Sequence, residues 1–417
     1  MEVDSQHTEQ SCSNEQIVKN FYKFYLDNRP NLRSDYNTLT TYSYSYELVE
    51  DDAIINTFYI KTDIVIITAG VFEQNAIHHY YSSINHKDNI RTFNITINPQ
   101  SADPLVVRAF FFKWGNYHIL NIVAATCGSY TIGGSADISR FVMDCPYLFP
   151  VACIAFGVCY GTRYTSSTIG DTILSESVYP YRVDKDHLKN PFETNDNAIF
   201  RLSNSLKDRL THDIFDKFLL SKDVLGFNVI MGNYITGESV TSSNQYTDVY
   251  TNLVLHSVFA GEQIGYGMFK ECRGWKYRIP CIIVKSIYDW GIETDLHNEH
   301  NDVEFQEKFK SYCKAFASVH SSIVLNKLIE RKVFGKTLPE LVKKELLQLR
   351  TQANHAIKYD VLEEILNNIM HQKYHSEELN IPLSDLLLNR LHEENIIEII
   401  RTEQSNKETR YVRIVEN

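Results

Sequence analysis

Asp63-Ile64-Val65-Ile66-Ile67-Thr68 is a short, almost uninterrupted run of β-branched residues, the pattern of a strand buried on both faces rather than one alternating between core and solvent. Similar runs recur at 118–124, 150–156, 171–175 and 280–284, with helical spacing at 203–220 and 302–320. Parallel strands need crossover connections, usually helices, so this alternation predicts an α/β fold: a mixed, mostly parallel central sheet flanked by helices. In open sheets of this kind ligands sit beyond the carboxyl ends of the strands. The segments that follow these runs are therefore the first places to look for chemistry.

Outward from this block the chain changes character on both sides. Residues 1–61 read as an N-terminal extension whose first residues are polar and acidic, without the features of a secretory leader. Within it 15–26 places Ile17, Val18, Phe21, Phe24 and Tyr25 near one helical face, Asn28-Arg29-Pro30 ends that helix, and 36–46 is rich in Tyr, Ser and Thr with no period. The α/β block spans 62–322. Beyond it Gly and aromatics give way to Leu, Glu and Lys, and 323–417 reads as a helical linker and a small rear domain. Helices at 359–371, 376–379 and 383–394, then strands at 396–401 and 410–415 around a polar turn, give an order that resembles a winged helix-turn-helix.

Composition narrows the partners. The 417 residues carry a net charge of −11, which opposes attraction to polyanions. A winged helix reads bases with its third helix, and here that helix offers Asn389 and Arg390 beside Asp385, Glu393 and Glu394. From Glu330 onward 13 Lys and Arg stand against 15 Asp and Glu, so no basic stripe is evident and a protein-interaction or oligomerisation role is favoured over nucleic acid. The eight cysteines lie in apolar segments with no CxxC pair, as reduced, buried thiols of a cytoplasmic protein would. The most apolar stretch, 147–161, falls short of the roughly 18 to 20 residues of a membrane span.

Several strand ends match, in order, the segments of a known superfamily over about 260 residues. Ile67-Thr68-Ala69-Gly70-Val71-Phe72-Glu73 resembles a strand that ends in Ala with a Glu four residues later; Phe156-Gly157-Val158-Cys159-Tyr160-Gly161 resembles a GIAGG strand end. Gly170 to Glu176 looks like GDVVVSE, and Gly232-Asn233-Tyr234-Ile235-Thr236-Gly237 stands where a base-pocket segment would. Ile283-Val284-Lys285-Ser286-Ile287-Tyr288-Asp289 resembles V-I-R-G-I-S-D. Together these resemble the nucleoside phosphorylase superfamily, closest in pattern to methylthioadenosine/S-adenosylhomocysteine nucleosidases.

That resemblance implies hydrolysis of the N-glycosidic bond of an adenine-containing nucleoside or nucleotide, with Glu73 activating water and Asp289 protonating the purine. The substrate-binding set it implies is Ala69, Gly157, Gly161, Arg163, Tyr234, Ile235, Glu262, Gln263, Ile264, Lys285 and Ser286. It further implies no metal, no cofactor and a homo-oligomer, and similar domains also occur as nucleotide-degrading effectors fused to adaptor modules in bacterial defence proteins. No phosphate-binding Arg follows the first strand, which favours hydrolysis over phosphorolysis. Read without the resemblance, Glu73 is a solvated residue at a helix start and Asp289 a helix cap.

Two departures keep an inactive, nucleotide-sensing protein open as an alternative. In the segment Glu262-Gln263-Ile264-Gly265, Ile264 takes the place of the Glu that holds the ribose hydroxyls in an E-M-E-x-x-G context; Glu262 takes over only if the segment is extended. Tyr288 replaces a small residue before the Asp. Gly335-Lys336-Thr337 lacks the first Gly of a P-loop, and neither His78-His79 nor His297 with His300 has a matching second pair of metal ligands.

Overall fold

The computed structural model of the protein describes residues 47–85, 90–97, 105–124, 132–162, 167–181, 199–237, 258–272, 279–289, 303–350, 357–374, 381–404 and 407–415. Arg163, the helix expected at 15–26, the stretch 36–46, the short helix at 376–379 and the His297/His300 pair lie outside these residues.

The front of the chain runs β1 (Glu47–Leu48), α1 (Asp52–Lys61), β2 (Ile64–Thr68), α2 (Val71–Asn85), β3 (Arg91–Ile97), β4 (Leu105–Trp114), β5 (Tyr117–Val123), α3 (Ile132–Asp144) and β6 (Ala152–Gly161). It continues through β7 (Thr172–Tyr181), β8 (Phe200–Arg201), α4 (Asn204–Leu210), α5 (Lys222–Leu225), β9 (Val229–Gly237), β10 (Val258–Glu262), α6 (Gly265–Cys272), β11 (Cys281–Asp289) and α7 (Val303–Glu330). The described strands of this part form one sheet in the order β1-β3-β4-β5-β2-β6-β10-β9-β7-β11, with β8 beside β7. Because β11 also pairs with β6, the strands β6, β10, β9, β7 and β11 close into a ring.

The mixed α/β architecture expected from the apolar runs is the one observed. The ladders β5–β2, β2–β6, β6–β11, β7–β9 and β9–β10 are parallel; β6–β10, β7–β11 and the β3–β4–β5 meander are antiparallel. Ile64, Val65, Ile66 and Ile67 of β2 are each fully buried, split between two core clusters on the two faces of the sheet. Burial of such a side chain is worth roughly 1.5–3 kcal/mol, so this strand anchors both layers. Within the meander β3 escaped the apolar-run reading because it alternates, with Phe93, Ile95 and Ile97 buried and Asn94 and Thr96 exposed.

Other elements differ from the expectations in extent. The last core strand runs on to Asp289 rather than stopping at Val284. The helix expected to end near residue 320 continues unbroken to Glu330, so the compositional change at 322 falls inside one helix. Its inner face carries Ser318, Ser321 and Ser322 against the sheet and then Val324, Leu325, Leu328 and Ile329 against the second core. Residues 331–337 separate it from the next helix, with Lys332 (φ 52°) and Gly335 (φ 95°) in the left-handed region. The helix expected over 203–220 is α4 followed by one π-helical turn, Thr211–Phe215.

The rear of the chain comprises α8 (Leu338–Arg350), β12 (Ile357–Lys358), α9 (Tyr359–Tyr374), α10 (Ile381–Glu393), β13 (Ile397–Gln404) and β14 (Lys407–Ile414), its three strands ordered β12-β14-β13. Leu346, Leu362, Leu366, Leu387, Leu391 and Val412 build its core, and Ile60 and Phe149 of the front part enter the same cluster. Arg390 of α10 is 1% exposed. Its guanidinium donates to the Ile60 carbonyl at 2.8 Å and to Asp63 Oδ1 at 2.5 Å, while its Nε donates to Glu394 Oε1 at 3.0 Å. One of the two side chains nominated for reading bases is therefore spent in joining the two parts. No helix among the described residues is long and apolar enough to cross a membrane.

Candidate active site

β2 ends at Thr68, and the chain turns through Ala69 and Gly70 straight into α2, which puts Glu73 in the first turn of that helix. Glu73 closes the helix start, its Oε2 accepting the Gly70 N–H at 2.9 Å. It is not the solvated residue of the plainer reading, however. The side chain is only 6% exposed, and its Oε1 accepts the Val158 N–H of β6 at 2.9 Å. Gly157 makes this approach possible. Its φ of 135° favours glycine, and a Cβ there would lie 2.1 Å from Glu73 Oε1.

Glu73 forms one wall of a cavity of about 570 Å³ that Ala69, Phe72, Val158, Cys159, Tyr160, Gly261, Glu262, Gln263, Lys285, Tyr288 and Lys314 help to line. The volume is in the range of small-ligand sites, and the lining comes from the ends of β2, β6, β10 and β11, as strand-end chemistry requires. Of the residues proposed from sequence, Ala69, Glu73, Glu262, Gln263 and Lys285 meet there.

At the base of the cavity lies an ion pair, Lys285 Nζ to Glu262 Oε2 at 2.9 Å, with side chains 2% and 1% exposed. The strand β10 stops at Glu262 and α6 begins at Gly265, so Glu262 sits where it can cap the helix. It accepts the Ile264 N–H at 2.8 Å, the Gly265 N–H at 2.6 Å and the Thr236 hydroxyl at 2.6 Å. Four donors fill the acceptor capacity of one carboxylate. Burial alone would raise the Glu262 carboxyl, but Lys285, Thr236 and the Ile264 amide together more than reverse this and hold it below its ordinary value. For Lys285 the balance is the mirror image: burial disfavours the charge, Glu262 and then Glu73 restore it, and the net direction is up.

The remaining sequence-proposed residues are placed differently. Ile264, in the register of a ribose-binding Glu, is fully buried in the apolar core. Tyr234 is fully buried on β9 and donates its hydroxyl to the Ile173 carbonyl at 2.8 Å; Ile235 follows it at 2% exposure. Gly161 closes β6 opposite Ala260. Ser286 faces away from the cavity, hydrogen bonded to Thr172 at 2.7 Å and Ser321 at 2.8 Å. Asp289 ends β11 half-buried, 3.7 Å from Lys310 Nζ. His78, wedged between Phe110 and Phe112, is fully buried, and among the described residues no group of acidic, His or Cys side chains is arranged to hold a metal.

Several lining residues were not proposed from sequence, Tyr288 and Lys314 among them. Tyr288, noted only as a departure, presents its ring to the cavity; burial first, then the charges of Asp289 and Glu73, raise its hydroxyl so that it stays protonated. Both carboxylates thus act on the same phenol. Lys314 of α7 holds its ammonium 5.2 Å from the centre of that ring. Only its spacing from Lys310 on one helical face could have signalled it.

Solved structures that resemble this chain include a futalosine hydrolase of Helicobacter pylori strain 26695 (14% identity, TM-score 0.47, covering 65% of this chain and 98% of that one). They also include a 5′-methylthioadenosine/S-adenosylhomocysteine nucleosidase of Helicobacter pylori (13%, 0.47, 65% and 98%). A third is a protein of Borrelia burgdorferi B31 described as a putative nucleosidase of the same kind, bound to adenine (18%, 0.45, 64% and 99%). No protein-family model and no curated protein matches this sequence.

Proposed function

We propose that the cavity is the active site of a hydrolase that cleaves the N-glycosidic bond of an adenine-containing nucleoside or nucleotide. The observation that carries this reading is Glu73: a buried carboxylate held from two directions by backbone N–H groups at the wall of a strand-end cavity. A carboxylate so fixed is oriented to accept a proton from an attacking water. In the reaction water adds to C1′ as the C1′–N9 bond breaks; the water proton passes to Glu73, and a proton from Asp289 goes to the purine so that a neutral base departs. Asp289 lies two strands from β2 along the sheet, on β11 beyond β6, and the Tyr288 hydroxyl beside it feels the charges of both Asp289 and Glu73.

Lys314 favours a substrate with an anionic 5′ group. Among the charged lining residues Glu262 and Lys285 neutralise each other, whereas the Lys314 ammonium rests on an aromatic face where a phosphate can reach it. A second reading, a sensor that binds a nucleotide without cleaving it, draws on Ile264 and on the filled acceptor sites of Glu262, which leave neither residue to hold a ribose diol. For the rear part, the order α8, β12, α9, α10, β13, β14 supports a winged-helix reading, and the burial of Arg390 supports a protein-interaction role over nucleic acid.

The test is to incubate the protein with adenosine, methylthioadenosine, S-adenosylhomocysteine, AMP and ATP, with and without phosphate, and assay free adenine by chromatography. Phosphate-independent release that falls by about 10² or more in Glu73→Gln and in Asp289→Asn is expected. AMP should be preferred to adenosine, and Lys314→Met should erase that preference. Intact ligand that nevertheless raises the melting temperature would establish the sensor instead.

A further inference from the structure

Behind the wall that carries Glu73 runs a line of buried hydroxyls. Thr172 Oγ1 on β7 and Ser286 Oγ on β11 are cross-strand partners 2.7 Å apart, Ser286 Oγ is 2.8 Å from Ser321 Oγ on α7, and Ser321 Oγ donates to the Gly157 carbonyl at 2.7 Å. All three side chains are fully buried. The order of the protons follows from counting them. A carbonyl can only accept, so the single hydroxyl proton of Ser321 is committed to Gly157. Ser321 must then accept from Ser286, and Ser286 from Thr172, which makes the chain run one way, from β7 through β11 and α7 to β6.

The peptide at its end is the one that grips Glu73. The carbonyl of Gly157 receives Ser321, and the N–H of the same peptide group, on Val158, donates to Glu73 Oε1 at 2.9 Å. That peptide departs from regular strand geometry, since Gly157 has a φ of 135°. A hydrogen bond to the carbonyl polarises the amide and strengthens its N–H as a donor, and successive donors reinforce one another.

We propose that Ser321 is a positioning residue for Glu73, and that Ser286 and Thr172 orient its proton: the hydroxyl line locks the Gly157–Val158 peptide and through it the carboxylate. This rests on the reading of Glu73 as the base that activates water. Ser286, expected from sequence to touch the substrate, acts here from behind the wall.

The test combines kinetics with the amide signal of Val158 in protein labelled with ¹⁵N-valine, assigned by its loss in Val158→Ile. Ser321→Ala should lower kcat several-fold with KM unchanged, move the Val158 ¹⁵N resonance upfield and hasten its hydrogen exchange. Thr172→Val, which leaves Ser321 in place and removes only the far donor, should act in the same direction to a smaller extent, and it carries the test if Ser321→Ala does not fold. A Val158 signal unmoved in folded variants, or a loss confined to KM, would overturn the proposal. If the unmodified protein releases no base, the hydrolase reading fails, while the Val158 signal still decides whether the hydroxyl line governs the peptide.

Discussion

Two buried ion pairs hold this molecule together in different ways. Lys285 and Glu262 lie within the closed ring of strands, and their carboxylate is also fed by a hydroxyl and two backbone amides. Arg390 and Asp63 join groups 327 residues apart, with Asp63 at the root of β2 and Arg390 in the rear part. Besides Arg390, Asp63 is contacted by the His118 N–H at 2.9 Å and by the His118 ring at 3.3 Å. In both cases burial pushes the carboxyl up, and the cation together with the hydrogen-bond donors around it outweighs that, leaving a net direction downward. The difference lies in redundancy among the described residues: Glu262 retains three donors without its lysine, whereas Asp63 without its arginine keeps only His118.

The first way to break the comparison is to remove the cations. Arg390→Met should cost about 3–5 kcal/mol of unfolding free energy, the usual penalty for stranding a buried charge, measured by urea titration. Lys285→Met should cost clearly less. Equal losses would mean that the backbone donors around Glu262 do not compensate, and the contrast drawn above would fall.

A smaller effect is expected at the wall. Gly157→Ala forces a Cβ into the space of the Glu73 carboxylate and strains a positive φ, so a loss of about 1–3 kcal/mol is expected. Turnover should fall further than stability alone explains, and full activity would show that Glu73 need not touch β6.

The mildest probe is pH. His78 is fully buried and its pKa is depressed to about 3, first by burial and then by Arg108. The unfolded chain takes up that proton near pH 6.5, so the folded state binds fewer protons below that point and stability falls as pH drops. Between roughly pH 6.5 and 4.5 the slope attributable to His78 is at most about 1.4 kcal/mol per pH unit. Below that window Asp63 and Glu262, whose depressed values make their stabilisation vanish on protonation, add to the loss. His78→Phe should flatten the upper window and leave, below it, only the part that Asp63 and Glu262 contribute, read from denaturation midpoints across pH.

The sequence by itself determined the continuous apolar strands, because a strand buried on both faces leaves no polar gaps to misread, and with them the mixed α/β class. The resemblance carried by its strand-end segments also pointed to Glu73, Glu262 and Lys285, which line the cavity. The sequence did not reveal β3, whose alternation reads equally as surface, nor the unbroken course of α7 through a change in composition. Only the tertiary structure decided that Glu262 is consumed by a helix start and a lysine, that Ile264 belongs to the core, that Ser286 works behind the wall, and that Arg390 is a joint between the two parts. Apart from the helix start beside Glu262, each of these depends on partners far away along the chain. A residue's type fixes what it is able to bond, while the fold fixes which partners reach it first.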